Sequence, residues 1–119
     1  MYKTIKFDTC IGLVEMRPII ASNLFTVLDS RKLYPACVDE LESRLLFALS
    51  ECKYIKRMNR SDCVRVSTYF GAMILEYKAA LLLYRALKYM DATIIDKFCD
   101  NILDGVSNFY RESGNMIGK

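Results

Sequence analysis

The chain contains no histidine, so acid–base or nucleophilic work would rest on carboxylates, lysines and cysteines. Asp96, Asp100 and Asp104 stand four residues apart, which places three carboxylates on one helical face. The simplest reading of that run is a solvated acidic face. The five cysteines, Cys10, Cys37, Cys52, Cys63 and Cys99, are odd in number, and none pairs at the short spacing of a zinc site. They read as small buried hydrophobes in a reducing compartment, with an exposed one able to link two chains. There is no glycine-rich phosphate loop. The expectation is a protein that is not an enzyme and uses no metal or cofactor.

A second group is basic. Lys53, Lys56, Arg57, Arg60 and Arg65, with Tyr54 among them, form the kind of patch that tracks phosphates. A net charge of +3 is too mild to demand a nucleic-acid partner, and a solvated linker is the default reading. One of these arginines could instead receive a carboxylate from a protein partner, which guanidinium geometry suits.

The elements that must position these groups read as helices. A chain of 119 residues is one domain spanning 1–119, long enough for a single core. Its 53% hydrophobic content, five Gly and two Pro favour helices over a turn-rich sandwich or barrel. The N-terminus lacks the continuous apolar core of a secretory signal. The richest apolar stretch, Gly71 to Met90, carries Glu76, Lys78, Arg85 and Lys88 and so is no membrane span. No internal repeat is evident. Residues 1–8 read as an extended lead-in, and Thr9 to Leu28 as helix interrupted at Arg17-Pro18, where the proline breaks or restarts it. Pro35 opens a helix that runs to about Glu51, with Val38, Leu41, Leu45, Leu46, Ala48 and Leu49 on its apolar face. Cys52 to Asn59 reads as a basic linker, and Ser61 or Asp62 as the cap of a central helix from Val64 to Tyr89.

That central helix is the main structural expectation. On a helical wheel Phe70, Met73, Ile74, Tyr77, Ala80, Leu81 and Tyr84 form one stripe, and Leu75, Ala79, Leu82, Ala86 and Met90 a second, roughly opposite. A helix apolar on two sides is surrounded by other elements. Asp91 then caps a last helix carrying Ile94, Ile95, Phe98, Ile102, Val106, Phe109 and Tyr110, with Gly105 interrupting the run or marking a bend. The predicted fold class is all-α, with amphipathic helices around a hydrophobic central one.

Three segments, in order, resemble the Bcl-2 family of apoptosis regulators in a divergent, viral form. Leu41 to Glu51 resembles the groove-lining helix before the BH1 motif. Val64 to Ala72, with Phe70-Gly71-Ala72, resembles the end of BH1, and Phe109 to Met116 resembles BH2. The family's Asn-Trp-Gly-Arg would fall on Arg60-Ser61-Asp62-Cys63, where only polar character survives. Asn115 and Met116 stand where BH2 has Gly and Trp, and no hydrophobic anchor follows Lys119. The resemblance implies an inhibitor of apoptosis that sequesters the BH3 helices of pro-apoptotic host proteins. Leu45, Leu46, Leu49 and Phe70 would floor its groove, and Arg65 or Arg60 would meet the ligand's aspartate. It further implies action in the host cytoplasm, reaching the mitochondrial surface through partners, and is compatible with a homodimer. The rivals are a helical nucleic-acid binder using the basic linker, which predicts strong salt dependence, and a structural interaction subunit of a larger assembly, which predicts an exposed apolar patch.

Overall fold

A computed structural model describes residues 3–54 and 63–117 and shows strands Gly12–Met16, Cys63–Thr68 and Gly71–Glu76 of two hairpins where the sequence reading placed helices. Among the described residues the elements run β1 (Ile5–Thr9), β2 (Gly12–Met16), α1 (Pro18–Asp29), α2 (Pro35–Tyr54), β3 (Cys63–Thr68), β4 (Gly71–Glu76), α3 (Tyr77–Lys88) and α4 (Ala92–Ile117). The strands form one antiparallel sheet in the order β1-β2-β4-β3. Helices cover one face of it, and the other face is open. This is an α/β fold, which overturns the all-α bundle, and the overturned class includes the Bcl-2-like one.

The error has a local cause. Val64 and Val66 alternate with Arg65 and Ser67, and Met73 and Leu75 alternate with Ala72 and Ile74, the period of a half-buried strand. Strand β4 passes into α3 with no loop between Glu76 and Tyr77. Read as one continuous helix, the strand's two faces add a spurious second stripe to the helix. The true helix α3 buries a single face, Ala79, Ala80, Leu83, Ala86 and Leu87. The first helix fails in its first part only: Gly12 to Met16 is strand, while a helix does start at Pro18, the first-turn proline of α1. Other boundaries hold. The lead-in contains β1, Pro35 opens α2, and Asp91 caps α4, its Oδ1 accepting the Ile94 amide at 3.3 Å. The expected cap at Ser61 or Asp62 lies outside the described residues.

Contrary to the expectation of no repeat, the chain is a duplicated ββαα unit. Shifting residue numbers by 59 carries Pro18–Asp29 onto Tyr77–Lys88 and the buried set Ile20, Ala21, Leu24, Val27, Leu28 onto Ala79, Ala80, Leu83, Ala86, Leu87. The same shift carries the first hairpin turn onto the second. Thr9 Oγ1 donates to the Gly12 carbonyl at 2.6 Å and accepts the Ile11 amide at 3.3 Å; Thr68 bonds Gly71 and Phe70 in the same way. Gly12 and Gly71 both hold φ near +135°, the region that favours glycine. A shift of 57 carries Val38, Leu41 and Leu45 of α2 onto Ile95, Phe98 and Ile102 of α4, all six buried.

The two units are interlaced about a local two-fold axis between β2 and β4. A Cβ on Gly12 would press on Ala79 of α3, and one on Gly71 would collide with Ile20 of α1, its counterpart. Helix α4, from the second unit, lies against β1 and α1 of the first, while α2, from the first, lies against β3 and α3 of the second. Each unit's apolar surface is therefore closed chiefly by the other, and all buried apolar side chains join in one core.

Candidate functional site

The open face of the sheet gathers charged and apolar side chains that the helices leave uncovered. Alternation sends Phe7, Val14, Met16, Val64, Val66, Met73 and Leu75 into the core and Lys6, Asp8, Leu13, Glu15, Arg65, Ser67, Ala72, Ile74 and Glu76 to the open face. Register places Lys6 opposite Glu15, Glu15 opposite Ile74, and Ile74 opposite Arg65, so these four make one row across all four strands. A second row holds Asp8 opposite Leu13 and Cys63 opposite Glu76, and the Glu76 Oε1 accepts the Leu13 amide at 2.9 Å.

A shallow groove of about 470 Å³ opens on this face. Ala72 and Ile74 supply its exposed apolar surface, with the buried Met16 and Ile20 behind them, and Thr4, Glu15, Arg17 and Arg65 form its polar rim. The Thr4 hydroxyl donates to Glu15, which fixes that carboxylate. The Arg65 guanidinium has no hydrogen bond or ion pair among the described residues. Charge is divided across the face: Arg17 and Arg65 flank the groove, and Asp8 and Glu76 lie in the second row. The local two-fold makes this plain, because Arg17 and Glu76 are counterparts of opposite sign.

Two smaller clefts serve structure. At the turn between α1 and α2, Arg31 is 9% exposed; its guanidinium donates to the Leu28 carbonyl and to Asp96 Oδ1, both at 2.8 Å. This pins α1 to α4. Asp96 is thus one half of an ion pair, while Asp100 and Asp104 remain solvent-facing. Close by, burial pushes the Cys99 thiol up to about 11, against a smaller opposing pull from Arg31. A thiol held protonated in this way is a poor nucleophile. At the second hairpin turn a hydrogen bond with Cys37, then burial, raises the Tyr69 hydroxyl above its ordinary value. The other cleft, of about 260 Å³, lies between the first hairpin turn and the start of α4, where the Cys10 amide donates to Asn101 Oδ1 at 2.8 Å.

Among the described residues, those expected to line a BH3 groove fall on a helix, a strand and a hairpin turn. Leu45 and Leu49 are buried between α2 and its neighbours, and Leu46 points to solvent on the same helix. Phe70 sits in the second hairpin turn, with the ring of Tyr69 edge-on at 5.1 Å. Arg65 stands mid-strand on the open face, and Arg60, with Lys56 and Arg57, lies outside the described residues. The segment likened to BH2 continues the helix α4 through Gly114 rather than turning there. Sequence reasoning missed Thr4, Glu15, Arg17, Ala72 and Ile74 as groove residues; the alternation around Arg65 was the available signal. Among the described residues no group of three or more Cys, Asp or Glu is placed to hold a metal, and no helix is long and apolar enough to cross a membrane. Comparison with protein-family models, with curated proteins and with solved structures found no match.

Proposed function

We propose that this chain is a non-catalytic interaction subunit whose open sheet face holds an apolar segment bearing a carboxylate from a protein partner. One observation carries the reading: an uncovered groove in which Ile74, 39% exposed, and Ala72 lie beside the guanidinium of Arg65, which has no partner among the described residues. Apolar contact supplies the affinity in such a groove. Burying an isoleucine is worth roughly 1.5–3 kcal/mol, whereas a rim ion pair adds about 0–1 kcal/mol and mainly fixes orientation. Single-stranded nucleic acid is disfavoured because, among the described residues, the open face offers no aromatic side chain for bases to stack on and carries Asp8, Glu15 and Glu76 among its cations. The BH3-groove reading depended on residues 64–89 forming a buried helix. Strands Cys63–Thr68 and Gly71–Glu76 stand where much of that helix was expected, so the present reading rests on the open sheet face instead.

The test is site-specific photo-crosslinking in the cells that make the chain. A photoreactive side chain at Ile74 is expected to yield a discrete protein adduct that a probe at Ser43, on the exposed side of α2, does not. Arg65→Glu should weaken recovery of that adduct about fivefold, the equivalent of a 1 kcal/mol rim contact. Identical adducts from both positions, or adducts to nucleic acid, would overturn the reading.

A further inference from the structure

The interlaced duplication points beyond the open face, to how the chain meets a second copy of itself. Neither ββαα unit closes its own core. Strand β1 is covered by α4 and strand β3 by α2, β2 meets α3, β4 meets α1, and the two hairpins join through the β2–β4 pair. Every one of these contacts links residues 5–54 to residues 63–117. The surface between the units is built as a homodimer interface is built, with like residues related by a two-fold: Gly12 on Ala79 and Gly71 on Ile20, Leu41 and Leu45 matched by Phe98 and Ile102.

We infer that this interface also forms between chains, so that two copies exchange halves: residues 5–54 of one close on residues 63–117 of the other, twice over. The occupant of the surface is a second copy because the surface is already filled by the matching half of the same chain, and each contact made within one chain is available between two. The single difference lies in the connection, residues 55–62. A connection this short gives its own half an effective concentration in the millimolar range, so the monomer prevails in dilute solution and the exchanged pair accumulates as concentration approaches that value. The exchanged pair carries two sheets, and hence two open faces. The inference does not depend on what those faces hold.

Two full-length variants with matched lesions test it. Leu45→Asp spoils α2, in the first half, and Ile102→Asp spoils its counterpart in α4, in the second; alone, each chain places a carboxylate in the shared core. Refolded together, they can build one lobe from two intact halves, residues 5–54 of the Ile102→Asp chain with residues 63–117 of the Leu45→Asp chain. With only the Leu45→Asp chain labelled with ¹⁵N, native amide resonances are expected for residues 63–117 and not for 5–54, in a species of two-chain mass by light scattering. A mixed spectrum equal to the sum of the two separate ones would overturn the inference. The intact chain gives an independent reading should either lesion be tolerated. Refolding it at millimolar concentration is expected to yield a fraction at twice the monomer mass that reverts on dilution and refolding, and a chain that stays monomeric throughout would overturn the inference as well.

Discussion

Gly105 shows how closely single residues are fitted. It lies inside α4, where glycine ordinarily costs about 1 kcal/mol relative to alanine. A Cβ there would lie 2.3 Å from the Phe7 ring. The glycine is therefore the space that a large strand residue occupies, not a bend, and the helix continues unbroken past it. Its counterparts in the other unit are Val66 against Ala48, a smaller strand residue with a larger helix residue, both buried. Gly105→Ala is expected to lower stability by about 1–3 kcal/mol through overpacking, the reverse of its usual effect. Phe7→Val combined with Gly105→Ala recreates the pairing of the other unit and should recover most of that loss. Urea titration of the two single variants and the double one measures the coupling; strict additivity would show that the two positions do not compete for space.

Helices α1 and α4 belong to different units, and the ion pair of Arg31 with Asp96 joins them. Its two ends are unequally placed, with side-chain exposures of 10% and 65%. Removing the exposed partner leaves Arg31 its bond to the Leu28 carbonyl and some solvent, so Asp96→Asn should cost less than about 1 kcal/mol. Removing the buried partner forfeits the packed stem and leaves the Leu28 carbonyl without that donor, so Arg31→Ala should cost about 1–3 kcal/mol. Thermal unfolding of both variants checks the order; equal losses would mean that the charge interaction alone matters. The end of α3 is built to the same economy of space. Met90 adopts φ 51°, so the Asp91 amide reaches the Ala86 carbonyl at 2.9 Å, and Asp91 then caps α4 at once. Two helices are joined there with almost no loop.

A core shared between interlaced units ties the unfolding of one unit to that of the other. Damage in one unit should reach the other across the two-fold. Leu45→Ala in α2 is expected to cost about 2–5 kcal/mol, as buried leucine truncations do. Hydrogen exchange should then quicken for β3, β4 and α3 as much as for α2, because their protection reports the same global opening. Loss of protection confined to residues 5–54 would instead mean that the units unfold separately. The open face lies outside this network, which leaves its residues free to vary without loss of fold.

Local signals in the sequence were enough for several elements. Pro35 with the apolar positions of α2, Asp91 with those of α4, and the lack, among the described residues, of a helix apolar enough to cross a membrane follow from short-range rules of capping, periodicity and hydropathy, which need no partner to operate. The strands were not legible in the same way. Residues 63–76 are as apolar as a buried helix, and only pairing across the sheet decides that their alternation, not their wheel positions, sets which side chains are buried. The repeat was diluted because Thr9 and Thr68, Gly12 and Gly71, and the leucines of α1 and α3 are scattered among unlike neighbours. It became visible when equivalent residues were found bearing on one another across the two-fold. The groove beside Arg65 belongs wholly to the tertiary structure: Glu15 and Arg17 lie some fifty residues before Arg65, and a row across four strands exists only once those strands have paired.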